Sequence, residues 1–168
     1  MKKMKKVLCM MFMVALMMSC ISVDAEAAVK YKTYTNKRFS YKVKYPSGLT
    51  KKSDYENLDG AKYGSSDGTV ALEIWNSYGA SKRRNGKVVV ANAKKNRKIK
   101  IVKNTKKEGS YSYTEGKNIT HYYHYFTKNG EISFKITYPK SQKKYYAEAV
   151  NGMSKSVKKH KKLVLVGN

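Results

Sequence analysis

The sequence predicts an α+β domain with a central antiparallel β-sheet of about six strands, on which a C-terminal helix and a short mid-chain helix pack. Short segments alternate apolar and polar residues with a period of two, which is typical of half-buried strands. Glycine-containing turns join several of these segments, whereas one segment near the C-terminus has helical spacing. The chain has 168 residues, of which two are prolines and 41% are hydrophobic. This length and hydrophobic content suffice for one core but not for two.

The first half of the chain predicts one isolated strand and one hairpin. Alternation is strict over residues 39–45, and a polar stretch follows this strand. A short strand at 61–63 and a second strand over 70–74 flank the turn at Asp67-Gly68. An Asp-Gly pair between two such segments favours a hairpin.

The middle of the chain predicts a basic loop, a short helix and four further strands. Residues 79–97 contain the loop and then the helix, although the three consecutive valines at 88–90 fit a strand as well. The first of the four strands is expected to point Ile99 and Ile101 inward. The four strands cover 98–104, 110–114, 118–127 and 131–138.

A helix is predicted from Ser141, as its N-cap, to about Lys158. Apolar residues recur at helical spacing in this segment and define the face that we expect to be buried. These residues are Tyr146, Val150, Met153 and Val157.

The order of these elements resembles that of the PsbP-like domains, including small exported versions from Gram-positive bacteria, over roughly residues 38–158. The resemblance lies in the strand 39–47, the turns at 57–61 and 65–68, the late strand 132–139 and the following helix. It implies a sheet between helical layers, an α/β/α sandwich, and mostly accessory or binding roles. It transfers no catalytic residue, since the shared features are turns and core aromatic residues.

The N-terminus has the pattern of a secretory signal peptide. Four lysines precede an uncharged stretch from Val7 to Val23, and a small-residue site follows, so we expect cleavage between Ala27 and Ala28. A permanent membrane anchor is one alternative. Lipidation of Cys20 is another, because the residues before it resemble a bacterial lipobox. The protein is therefore expected to be secreted, and either free, envelope-associated or lipid-tethered.

These patterns divide the chain into four segments. Residues 1–27 are the expected signal peptide, 28–37 an N-terminal linker, 38–158 the domain, and 159–168 a basic tail or an edge strand. Both cysteines lie in the expected signal peptide, so the mature chain would contain no disulfide. This pattern suits a Gram-positive exporter.

Charge is the strongest indication of function. The formal charge is +25, and twelve basic residues and no acid occur between 81 and 107. Such a field attracts polyanions, so we expect a non-enzymatic binding domain that contacts an anionic envelope polymer or a membrane surface. The alternative is that the lysines only keep the protein soluble. The candidate binding residues are Lys82, Arg83, Arg84, Lys87, Lys94, Lys95, Arg97, Lys98, Lys158 and Lys159.

Other functions remain as alternatives. A small-ligand or enzymatic pocket could form near His121 and His124, although their odd spacing in a strand places them on opposite faces. Interleaved tyrosines could stack on nucleic-acid bases, although nucleic acid is a less favoured partner than the envelope. An aromatic sheet edge could also bind another protein, whose identity is unknown. The sequence predicts no cofactor, since it has no phosphate-binding glycine loop, and no metal site, since the expected mature chain has no cysteine and these histidines have no adjacent carboxylate.

Overall fold

The computed structural model describes residues 28–79 and 84–166. Strands β1 (Tyr31–Asn36) and β2 (Tyr41–Pro46) form an antiparallel pair. The other described strands form a seven-stranded antiparallel sheet in the order β3-β4-β5-β9-β8-β7-β6. These strands are β3 (Thr50–Asp54), β4 (Gly60–Gly64), β5 (Ala71–Tyr78), β6 (Lys100–Asn104), β7 (Glu108–Glu115), β8 (Asn118–Thr127) and β9 (Gly130–Pro139). Helix α1 spans Gly86–Asn96 and helix α2 spans Lys143–Val157.

One face of the sheet, here called the α2 face, carries most of the core. The side chains of Ile132, Phe134 and Ile136 alternate along β9 on this face and are fully buried. Helix α2 packs against β8, β9 and β2. The β1–β2 pair extends this layer over β4, where the ring of Tyr45 lies 4.4 Å from that of Tyr63.

Helix α1 packs on the opposite face, here called the α1 face, above β6 and β7. Two glycines permit this close approach, because a Cβ on Gly109 would lie 2.5 Å from Cγ2 of Val89, and a Cβ on Gly86 would overlap the backbone of Glu108. The sheet therefore lies between two layers. This confirms the predicted α+β class and the α/β/α sandwich.

Two strands were not predicted. The segment expected to be a linker, 28–37, instead contains β1, in which Tyr34 and Asn36 are buried. Strand β3 lies in the polar stretch after the first predicted strand, and all five of its residues are exposed. Such an edge strand has no buried side and therefore no hydrophobic alternation to read.

Helix α1 begins at a side-chain cap, whereas α2 has no side-chain cap at its start. Residues 88–90 are helical, because the side chain of Asn85 accepts hydrogen bonds from the backbone N–H groups of Lys87 and Val88 and caps α1. The prediction that Ser141 is the N-cap of the last helix was wrong. Ser141 lies in a 3-10 turn, and Gln142 precedes the first residue of α2.

The C-terminal segment 159–166 forms neither an edge strand nor a free tail. Leu163 is fully buried, and its carbonyl accepts a hydrogen bond of 3.0 Å from Nδ2 of Asn129. The backbone N–H of Val166 donates to the carbonyl of Arg38. The segment thus closes the domain next to its N-terminal strands.

None of the helices within residues 28–79 and 84–166 is long and apolar enough to cross a membrane. The expected signal peptide, its anchor alternative, Cys20 and Ala27 lie outside the described residues. Ala28 is described and is exposed.

A buried carboxylate joins the start of α1 to the sheet. Glu131 in β9 is fully buried, and Nε of Arg84 lies 2.7 Å from its Oε2. The hydroxyl of Ser133 donates to the same carboxylate at 3.0 Å, and Nδ1 of His124 lies 3.4 Å away. Burial raises the pKa of Glu131, but the bonds and charges of His124 and Arg84 outweigh it and lower the pKa to about 2.

Replacing Arg84 by Met should destabilise the protein, because the Glu131 carboxylate would remain buried without its closest cation. Breaking a buried ion pair costs about 3–5 kcal/mol, and the partial exposure of Arg84 reduces our expectation to about 2 kcal/mol at neutral pH. Urea unfolding, followed by the fluorescence of the single tryptophan, Trp75, measures this difference.

Lys87→Met is the matched control, since Lys87 is exposed in the first turn of the same helix. It should change the free energy of unfolding by less than about 0.5 kcal/mol. In a Glu131→Gln background, Arg84→Met should lower the free energy of unfolding by clearly less than it does in the unmodified protein. An equal cost in both backgrounds would show that the ion pair is not the cause.

Candidate functional site

A groove of about 790 Å³ opens on the α2 face, between α2 and the β6–β7–β8 part of the sheet. It exists because β7, beyond Glu108 at its start, presents small side chains on this face, namely Ser110, Ser112 and Thr114. The larger residues of β7, Tyr111 and Tyr113, alternate onto the α1 face, where their rings stack against Tyr122. The space above β7 is therefore left unfilled.

A β-bulge aims two lysines of β6 into this groove. The pairing of β6 with β7 shifts between Ile101 and Lys103, so that Lys100 pairs with Ser112 and Lys103 pairs with Ser110. In a regular strand, residues three apart lie on opposite faces, whereas the extra residue of a bulge restores them to the same face. The prediction that Ile101 points inward was wrong, because Ile101 pairs with Tyr111 from the edge strand of the sheet, and its side chain is 43% exposed.

Lysines line both walls of the groove, which we call the basic groove. Lys98 comes from the 81–107 segment and Lys158 from the C-terminal cluster, so two separate basic segments meet at one site. Glu108 is the sole acid among the described residues that line it, and its carboxylate lies 2.8 Å from Nζ of Lys158. The lining lysines are Lys98, Lys100 and Lys103 from the β6 side, Lys143 and Lys155 from α2, and Lys158 directly after α2.

The histidine in the floor of the groove is uncharged at neutral pH. His121 is 7% exposed, and its Nε2 lies 2.8 Å from Oγ of Ser110. Burial disfavours the imidazolium and lowers the pKa of His121 to about 4. His124 lies on the opposite face beside Glu131, as the odd spacing predicted, so the two histidines do not share a pocket.

The remaining predicted binding residues lie elsewhere. Arg84 is engaged by Glu131, and the guanidinium of Arg97 lies 4.1 Å from the ring centre of Tyr113 on the α1 face. Lys87, Lys94 and Lys95 are exposed on α1, and Lys159 is exposed after the end of α2. Lys82 and Arg83 lie outside the described residues.

Four lysines of the groove were not among the predicted site residues. These are Lys100, Lys103, Lys143 and Lys155. The helical spacing of Lys143, Lys155 and Lys158 is readable in the sequence, since all three project from one side of a helix. The contribution of β6 was not readable, because the bulge depends on pairing with β7.

A smaller hollow of about 410 Å³ lies on the α1 face, where α1 leaves the sheet uncovered. Three of its polar side chains are bonded together, since Glu73 accepts hydrogen bonds from Tyr55 at 2.7 Å and from Lys135 at 2.9 Å. The side-chain amide of Asn76, which also lines the hollow, is buried and has no hydrogen-bond partner among the described residues. Tyr55, Trp75 and Tyr122 supply its aromatic lining. The basic groove is the better candidate site, because it is larger and most of its lysines have no carboxylate beside them among the described lining residues.

In the part of the chain that the structure describes, no group of three or more His, Cys, Asp or Glu side chains is placed to hold a metal ion.

The sequence of the chain matches no protein-family model and no curated protein. Its structure resembles the solution structure of cyanobacterial PsbP (CyanoP) from Synechocystis, with a TM-score of 0.55 over 82% of this chain and 97% of that chain, at 10% sequence identity. A crystal structure from Bacteroides thetaiotaomicron gives a TM-score of 0.47 at 20% identity, over 74% of this chain and 47% of that chain. The first likeness shows the fold alone and confirms the PsbP-like architecture.

The stability of the protein should fall as the pH falls from about 6.5 to about 4, because the unfolded chain binds a proton at His121 that the folded chain does not. Because the pKa of His121 is lowered in the folded protein, its contribution to the free energy of unfolding is fully present above pH 6.5. This contribution, about 3 kcal/mol, is lost as the pH falls to about 4. His121→Asn retains a hydrogen-bonding side chain beside Ser110 and should flatten the profile in this window. Urea unfolding at several pH values tests this, and equal slopes in both proteins would contradict it.

Proposed function

We propose that this protein is a non-enzymatic binding domain of the bacterial cell envelope, in which the basic groove contacts an anionic polymer. The observation that carries the proposal is the convergence of six lysines, from two distant segments, on one concave surface that has a single acid among its described lining residues. A cleft lined by one sign of charge focuses its field and raises the local concentration of oppositely charged ligand. The PsbP-like fold agrees with an accessory or binding role.

The shape of the groove favours a flexible single chain as the ligand. Helix α2 has 15 residues and is therefore about 22 Å long, so an extended polymer that lies along it meets lysines from both walls in succession. Helix α1 also carries exposed lysines, but it is convex and presents them on one side only. We therefore place the main contact in the groove and a weaker one on α1.

The location follows from the sequence pattern at the N-terminus. The expected signal peptide would export the chain, and lipidation at Cys20 would tether it to the membrane. Outside a Gram-positive cell, teichoic acids and anionic phospholipid headgroups are abundant polyanions. We propose the polymer as the main partner and the headgroups as a second source of the same phosphate chemistry.

Two triple variants with the same loss of charge test the site. Lys100→Gln/Lys103→Gln/Lys155→Gln removes three groove lysines, and Lys87→Gln/Lys94→Gln/Lys95→Gln removes three from α1. Each lysine near an anionic surface contributes about 1 kcal/mol, so the groove triple should bind at least about tenfold more weakly, whereas the α1 triple should change affinity only about threefold. Calorimetric titration of the purified protein with poly(glycerol phosphate) teichoic acid measures both affinities.

Salt and competing polyanions complete this experiment. Binding to the polymer should weaken steeply above about 0.15 M ionic strength, because exposed charges are then screened beyond about 8 Å. Equal losses in the two triples would show that the groove is not the site. Tighter binding to single-stranded DNA than to teichoic acid would replace the envelope polymer by nucleic acid as the ligand.

A further inference from the structure

The geometry points to a second property of the basic groove: its floor binds the apolar chain of a single-chain amphiphile, whose phosphate headgroup lies on the lysines. This goes beyond the proposed function and shares with it only the groove lysines. The groove volume of about 790 Å³ lies within the range of about 300–1,000 Å³ that is typical of sites for small ligands, whose linings are mostly apolar. A polyanion held by charge alone needs no such interior.

The deep part of the groove is apolar. Ile119, Tyr138 and Val150 line it, and each is less than one tenth exposed. They come from β8, β9 and α2, so the floor continues the hydrophobic core to the surface. An alkyl chain on this floor would remove apolar surface from water, which contributes about 25 cal/mol per Å².

The polar groups of the floor do not require water. Oγ of Ser110 and Nε2 of His121 lie 2.8 Å apart and are bonded to each other, and the hydroxyl of Tyr123 donates to Glu108. Covering these groups with a hydrocarbon chain therefore leaves no new unpaired donor or acceptor among them. The neutral state of His121 agrees with this, since covering its ring desolvates no imidazolium.

The rim of the groove determines the headgroup and the route by which the chain enters. Val102 occupies the bulge between Ile101 and Lys103, lines the groove and is 47% exposed. An apolar side chain between two lysines suits contact with an anionic interface, where the lysines meet phosphates and the valine meets the acyl boundary. The excess of lysines selects an anionic rather than a zwitterionic headgroup.

Filling the groove without a change of charge tests the proposal. Ala147 is an exposed residue of α2 that lines the groove, and Ala147→Phe places a ring there. Ala91→Phe is the matched control, because Ala91 is an exposed residue of α1 on the other face. Asn151→Phe, also exposed and lining the groove, repeats the test in case Ala147→Phe does not fold.

The probe is lysophosphatidylglycerol below its micellar concentration, titrated by calorimetry into each full-length purified protein. We expect Ala147→Phe and Asn151→Phe to weaken its binding at least about tenfold, with Ala91→Phe unchanged. Glycerophosphoglycerol, the headgroup alone, and lysophosphatidylcholine, with a zwitterionic headgroup, should each bind at least about tenfold more weakly than the probe. Equal binding of the headgroup alone would show a simple anion site, and equal binding of the zwitterionic lipid would overturn anionic selection.

The same proteins separate this proposal from the proposed function. Ala147→Phe should retain teichoic acid binding, since it leaves all groove lysines in place, whereas the groove lysine triple should lose both ligands. If Ala147→Phe and Asn151→Phe fold and bind the probe as the unmodified protein does, the amphiphile proposal fails while the polymer proposal stands. If the lysine triple retains teichoic acid but loses the probe, the proposed function fails and the amphiphile site stands.

Discussion

The layers that cover the seven-stranded sheet are narrower than the sheet itself, and this difference in width determines where the two concave surfaces of the molecule lie. Seven strands spaced about 4.8 Å apart make a sheet roughly 29 Å wide, whereas a helix with its side chains is about 10–12 Å across. Helix α2 and the β1–β2 pair cover one face as far as β8, and α1 covers the other face above β6 and β7. The basic groove and the smaller aromatic hollow lie where each cover ends, on opposite faces.

Two carboxylates show how the molecule divides its charges between structure and surface. Glu131 is fully buried and is held ionised by Arg84 and His124, which joins the start of α1 to the centre of the sheet. Glu108 lies in the groove, partly exposed, beside Lys158. A buried carboxylate needs a paired cation, because it has lost the free energy of its hydration and only the pair offsets that loss. Charged side chains in an open groove stay hydrated and do not need such a partner. Arg84 therefore stabilises the fold, although it belongs to the same basic segment as Lys98.

The groove combines three conditions that arise from different parts of the fold. Small residues on β7 leave space, the bulge in β6 turns Lys100 and Lys103 toward that space, and the outer side of α2 supplies the facing lysines. The apolar floor is the margin of the core itself, since Val150 belongs both to the core and to the groove. His121 beneath the lysines is uncharged, and this suits a ligand with a charged end and an apolar body.

By itself, the sequence determined the class of the fold, the central strands, the hairpin turn at Asp67-Gly68, the buried face of α2 and the separation of His121 from His124. These depend on periods of two and 3.6 residues and on local turn chemistry, which neighbouring residues specify. The tertiary structure alone decided that 28–37 contains a strand, that the exposed strand β3 pairs with β4, and that Ile101 turns outward. It also decided which lysines meet, because strand pairing, a bulge and the reach of a covering helix depend on residues far apart in the chain.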